Sequence, residues 1–269
     1  MSVIRKQQVR GTSPCSKLIL GLLAWASFAL GSAGICSAAD PAERNVVVIS
    51  LDGFPGYLLD DPQASLPVLR GLATAGAVAV EGMHVSNPSV TWPNHTTLMT
   101  GVHPERHGVL FNGLLERSGP GMPVRVNPAR TQADLVRVPL LFDLLKESGR
   151  SSAAINWPCT RGSESLADNF PDVPDHLEYT SAQLKQDLGE GGSLQRFEAG
   201  GGVVRDEIWT DAACKIIKRR MPRLLVLHLL NLDSTHHQHG PLTHPGYTAA
   251  ALLDSLVGRV LNALDEAKL

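Results

Sequence analysis

Thr91 is the residue best placed to act as a nucleophile. It stands in S-V-T-W-P-N-H-T-T-L-M-T-G, residues 89–101, where a lone hydroxyl precedes an aromatic-Pro-Asn turn and a short helix is expected over His95–Thr100, closed by Gly101. A threonine at a strand-to-helix turn has its hydroxyl exposed beside positive helix-end amides. The alternative is that Thr91 only caps that helix. Asp233 and His237, in N-L-D-S-T-H-H-Q-H-G-P at 231–241, lie four apart. One helical turn brings a carboxylate oxygen and an imidazole nitrogen from that spacing onto a common ion. His236 and His239 read as solvent-exposed neighbours, or at most as groups that contact the metal ligands or the substrate. Asp52 is followed by Gly53, which lets the backbone turn; its alternative role is to cap that turn. Asn112 offers an amide N–H to a developing negative charge, and equally belongs to an ordinary Asn-Gly turn.

These groups must be positioned by strands and helices, and the strands are legible. Asn45–Leu51, N-V-V-V-I-S-L, is a β-branched run without alternation, the pattern of a central parallel strand buried on both faces. It delivers Asp52 to the carboxyl end of the strand, where open α/β sheets place their sites. Leu224–Leu230 is a second such run and delivers Asp233 in the same way. A helix is expected through Leu66, Leu69, Leu72 and Ala73, stopping at Gly76, and a strand over Val78–Val85 with His84 at its core or edge. His103–Gly108 reads as a loop. Further on, the pattern gives a helix through Leu140–Leu145, a strand over Ser151–Asn156, a helix over Glu207–Arg220 and a strong amphipathic helix over Ala249–Leu264. Between Cys159 and Arg205 the composition turns to Gly, Ser, Pro, Asp and Glu, which predicts a loop-rich insertion. That segment is either a lid bordering the site or a plain surface excursion.

The 269 residues are 43% apolar, with 24 Lys and Arg against 26 Asp and Glu. Such a chain buries a real core and lacks the basic excess of a nucleic-acid binder. One α/β domain with an insertion is expected over 40–269. Residues 1–39 read as a secretory signal peptide: Arg5, Lys6, Arg10 and Lys17 precede an apolar run from Leu18 to Leu30, and Ser37-Ala38-Ala39 offers a cleavage site. The rival is an uncleaved anchor, but Ser27, Gly31, Ser32 and Gly34 interrupt the run below the roughly 20 residues of a bilayer span. A periplasmic or secreted protein without a stable membrane span is expected. Cys159 and Cys214 then remain, either as a disulfide or as two unrelated thiols.

L-D-G at 51–53, S-V-T-W-P-N-H-T-T-L-M-T-G at 89–101 and H-P-E-R-H-G-V at 103–109 with Asn112 together resemble the type I phosphodiesterase / nucleotide pyrophosphatase family of the alkaline phosphatase superfamily. The resemblance implies an alkaline-phosphatase-like, mostly parallel sheet with helices on both faces. It implies two zinc ions or other divalent metals, Asp52 and Thr91 ligating one, Asp233 and His237 the other. Thr91 would attack phosphorus, Asn112 and the Thr91 amide would hold a phosphoryl oxygen, and Trp92 would stack on a nucleobase. Two such ions can bind the alkoxide, activate water and clamp the phosphoryl group. The substrate would be a small phosphodiester or nucleotide.

The family supplies further ligands in an S-D-H-G-like segment and a later His. Here the only Asp-His dipeptide is Asp175-His176, and no histidine follows His244. The resemblance therefore predicts a chain lacking the C-terminal part of the domain, with two recognisable ligands per ion and low turnover. The competing expectation is a non-catalytic remnant that binds metal or phosphoester weakly.

Overall fold

The computed structural model describes residues 44–172 and 177–269. The expected leader over 1–39 and the dipeptide Asp175-His176 lie outside them. In chain order the elements are β1 (Val46–Leu51), α1 (Pro67–Ala75), α2 (Thr91–Thr100), α3 (Pro104–His107), β2 (Leu114–Glu116), β3 (Arg125–Asn127), α4 (Gln132–Leu135) and α5 (Leu141–Glu147). They continue as β4 (Ser152–Ile155), β5 (Asp168–Phe170), α6 (Ala182–Gly189), α7 (Ser193–Ala199), α8 (Gly202–Arg219), β6 (Leu224–Leu229), α9 (Asn231–His239) and α10 (His244–Glu266).

The two apolar runs lie side by side. β1 and β6 pair in parallel from Val46–Leu224 to Leu51–Leu229, and the sheet order is β1-β6-β4-β5, parallel throughout. Strand parity divides their side chains between two layers. Leu225, Leu227 and Leu229 enter the larger core beneath α8 and α10, with Val47, Ile49 and Leu51 packed against it. Leu224 and Val226, with Val48 beside them, face Met99 of α2 and Phe142 of α5. Helices thus cover both faces, as the uninterrupted apolar runs require.

The helices expected from Leu66 to Gly76, through Leu140–Leu145, over Glu207–Arg220 and over Ala249–Leu264 all form, the last two starting five residues early at Gly202 and His244, and the helix expected from His95 starts at Thr91. Three other expectations are corrected. Val78–Val85 forms no strand, because no neighbour pairs with it; Val80 is 97% exposed and Met83 68%. His84 accordingly lies exposed rather than in a core. The 103–108 segment contains the single turn α3.

The 159–205 segment carries regular structure among its loops. It supplies the edge strand β5 and helices α6 and α7, and Leu184, Leu188 and Phe197 are completely buried in the larger core. Buried ion pairs fasten it: Arg220 reaches Asp168 at 2.8 Å and Asp187 at 2.7 Å, and Arg219 reaches Asp187 at 2.5 Å. Glycines and charges here hid the apolar positions because the helices are short and joined by turns. Cys159 and Cys214 are free thiols, so no disulfide joins them.

Candidate functional site

Strand parity also selects the polar groups at the carboxyl end of the sheet. Ser50 and Asp52 continue the α2-facing parity of Val48, and His228 continues that of Val226, so all three project toward the start of α2. Asp52 Oδ2 lies 3.2 Å from Thr91 Oγ1 and 3.2 Å from His228 Nε2. The opposite partner of His228 is the Asn156 carbonyl, 2.9 Å from Nδ1. Asn156 adopts a left-handed backbone, φ 54°, directly after β4, and its side-chain amide also donates to the His228 carbonyl at 3.1 Å.

Thr91 is the first helical residue of α2 and Val90 its cap, so the capping role is excluded. The Thr91 hydroxyl donates to Asp52. The Trp92 N–H donates to Asn112 Oδ1 at 2.8 Å, and Pro93 has none to give. Among the described residues the Thr91 N–H has no protein acceptor, and the amide-donor end of Asn112 is likewise free beside it. The loop before α2 is held by Asn94, whose side chain bonds the Ser86 N–H at 2.6 Å and the Val90 carbonyl at 2.9 Å. His95 joins the helix to β1 through the Thr91 carbonyl, 2.8 Å, and the Ser50 hydroxyl, 2.9 Å.

Asp233 and His237 sit one turn apart on α9, with His237 Nε2 3.5 Å from Asp233 Oδ1. Gly53 brings this helix against β1. It has φ +68°, and a Cβ there would lie 2.6 Å from the Asp233 Cα. His236 is half-buried, its Nδ1 donating to the Gly53 carbonyl at 3.1 Å, whereas His239 is exposed as expected.

The charges respond to this crowding. Burial pushes the Asp52 carboxyl up, but the hydrogen bond and charge of His228 outweigh it and hold Asp52 below the usual carboxylate range. Burial opposes charge on His228 too, and Asp52 more than compensates, raising it. His95 is pushed down to about 3 by burial and by His228, so it is neutral. Asp233 is raised by burial and then by the charge of Asp52.

An open cleft of about 1240 Å³ lies over these groups and is lined by Thr91, Asn112, Asp52, Asp233 and His237. Among the described residues its wall carries Asp52, Asp60, Glu81 and Asp233 but no lysine or arginine. Trp92 is not among the lining residues. Its indole is buried with Val109, Leu135 and Cys159 and donates to Asp172 at 2.7 Å, so in this structure it lies outside the cleft wall. The rings that do line the cleft are Phe54 and Tyr57, the latter half-exposed.

The donor set suits divalent cations. Carboxylate, hydroxyl and imidazole are ordinary zinc ligands, and the mutual repulsion of Asp52 and Asp233 is relieved by a cation between them. Among the described residues no three His, Cys, Asp or Glu side chains converge on one point. His228 is the functional group that motif reading missed. Its signal was a lone histidine on the Asp52-side parity of a strand end.

Human ectonucleotide pyrophosphatase/phosphodiesterase family member 1 is 25% identical over 224 residues, which are 83% of this chain and 22% of that protein. Venom phosphodiesterase 2 of Crotalus adamanteus is 24% identical over 252 residues, 93% of this chain and 28% of its own length. Among solved structures, inactive murine ectonucleotide pyrophosphatase / phosphodiesterase 5 in complex with AMP superposes with a TM-score of 0.60 at 20% identity, over 84% of this chain and 54% of that one. Phosphonoacetate hydrolase from Sinorhizobium meliloti 1021, in complex with phosphonoacetate, gives 0.59 at 15% identity, over 82% and 54%. The chain thus spans about a quarter of the length of these curated relatives and about half of these structures. Residues 46–269 match the family described as type I phosphodiesterase / nucleotide pyrophosphatase, and the chain belongs to that family.

Proposed function

We propose that this chain hydrolyses phosphodiester or pyrophosphate bonds, nucleotide-like substrates preferred, with Thr91 as nucleophile and divalent cations held by Asp52 with Thr91 and by Asp233 with His237. The observation that carries this reading is the cleft wall: a helix N-terminus and an amide donor flank the nucleophile, yet the charged side chains around them are acidic. A phosphoester anion is repelled from such a wall unless cations bind first. Bound there, divalent cations supply neutralisation of the phosphoryl oxygens and lower the pKa of the attacking group.

The side chains provide the rest. Asp52 accepts the Thr91 hydroxyl proton's hydrogen bond and fixes the direction of Oγ1. Asn112, its carbonyl end tied to the Trp92 N–H, turns its amide donor toward the phosphoryl oxygen, and the Thr91 N–H adds a second donor. Phe54 and Tyr57 offer the aromatic surface for a base; a structural neighbour holding AMP supports a nucleotide-like substrate. The signal-like pattern of residues 1–39 supports a periplasmic or secreted location. No helix among the described residues is long and apolar enough to cross a membrane.

A second reading, metal or phosphoester binding without turnover, is favoured by one observation: His237 is 81% exposed and shares its ion with Asp233 alone among the described residues. Chelator treatment followed by zinc addition separates the two. Restored hydrolysis of bis-p-nitrophenyl phosphate supports the enzyme. Zinc uptake without hydrolysis supports the binder, and chelator-resistant hydrolysis overturns both.

A further inference from the structure

We propose that His228 is a third protein ligand to the cation held by Asp52 and Thr91. The inference rests on the reading above, that this pair takes a divalent cation. Three observations carry it.

The first is the direction of the ring. The Asn156 carbonyl 2.9 Å from Nδ1 can only accept, so Nδ1 carries a proton and is committed to the backbone. Nε2 is left as the nitrogen facing the site. A backbone carbonyl on the far nitrogen is the usual outer partner of a metal-binding imidazole, because it fixes both tautomer and orientation.

The second is spacing. Tetrahedral zinc with bonds of about 2.0–2.2 Å sets its donor atoms about 3.3–3.6 Å apart. Asp52 Oδ2 stands 3.2 Å from His228 Nε2 and 3.2 Å from Thr91 Oγ1. Movements of a few tenths of an ångström bring Asp52 Oδ2 to the donor spacing of a common ion with each of the other two atoms. Where Nε2 carries a proton, the cation would take its place and that proton would leave to solvent.

The third is elimination of the neighbouring ring. His95 stacks on His228 with centroids 4.4 Å apart, yet both of its nitrogens are engaged, by the Thr91 carbonyl and the Ser50 hydroxyl. His228 is completely buried on a central strand, and among the described residues its Nε2 has no other hydrogen-bond partner than Asp52. The site then holds a carboxylate, a hydroxyl and an imidazole, the three-ligand complement of a catalytic zinc.

Cobalt(II) binding to the full chain tests this, with His228→Gln, Asp52→Asn and Asp233→Asn measured alongside wild type, by dissociation constant and by visible d–d absorption. His228→Gln is expected to weaken the Asp52-dependent site at least about 100-fold, more than loss of an outer-sphere partner does, and to alter its spectrum. Asp233→Asn should leave that site's spectrum in place. Nitrogen-15 NMR of histidine-labelled wild type decides the matter even where the variant fails to fold: zinc must displace the His228 Nε2 resonance while Nδ1 keeps its proton. Unchanged affinity and spectrum in His228→Gln, with loss in Asp52→Asn, would overturn the assignment and leave His228 as an ion-pair partner orienting Asp52. No Asp52-dependent uptake in wild type overturns the cation reading itself.

Discussion

Asp52 is the residue on which the site converges: one carboxylate oxygen meets the nucleophile, the buried imidazole and, across the Gly53 contact, the field of Asp233. Asp52, Thr91, Asn112, Asp233 and His237 were legible in the sequence because each stands at a strand end or in a turn whose spacing survives in one dimension. His228 and Trp92 were not. A histidine inside L-L-V-L-H-L-L looks like core until the register sets it opposite Ser50. The fate of Trp92 depends on Asp172, 80 positions away. With Trp92 buried outside the cleft wall, the proposed recognition of a base rests on the cleft rings Phe54 and Tyr57. Tyr57→Ala should therefore raise KM for a nucleotide p-nitrophenyl ester by roughly 10-fold, the value of one lost stacking contact of about 1–3 kcal/mol. KM for bis-p-nitrophenyl phosphate should stay unchanged; an equal rise for both would remove Tyr57 from base recognition.

At the scale of elements, the start of α9 places the second carboxylate, and Asp206 holds that start. Its carboxyl accepts the Leu230 and Asn231 N–H groups at 2.9 and 3.0 Å, from the middle of α8. Burial nevertheless pushes its pKa up to about 6. Raised folded-state pKa means that the folded protein binds more protons than the unfolded chain between about pH 4 and 6. The contribution is fully present below about pH 4 and is lost as pH rises through 6. The stability of wild type relative to Asp206→Asn should thus fall by roughly 3 kcal/mol across that window, measured by urea unfolding at successive pH values; a flat difference would show that the capping bonds cancel the burial. The Val78–Val85 misreading belongs to this scale as well. Its partial alternation matched a strand, but a strand needs a neighbour, and the segment instead lines the cleft with Val78, Val80 and Met83.

Across the whole molecule, the parallel order β1-β6-β4-β5 brings together two strand ends that lie far apart in sequence, and helices on both faces bury what lies between. The α/β class and the two central strands were readable from their uncharged, unalternating runs. The role of 159–205 was not, because its helices bury only a few side chains each and its ion pairs reach to Arg219 and Arg220. Since Phe197 is completely buried and packs on Phe170 and Trp209, Phe197→Ala should cost about 3–5 kcal/mol in global unfolding. A loss below about 1 kcal/mol would return the segment to the periphery. The central claim, that Thr91 is the nucleophile of a metal-dependent phosphodiesterase site, is tested most directly by kcat/KM for bis-p-nitrophenyl phosphate with saturating zinc in wild type and Thr91→Ala. Slow but zinc-dependent hydrolysis that drops at least about 1,000-fold in the variant is the predicted result; hydrolysis within 10-fold of wild type in Thr91→Ala would contradict it.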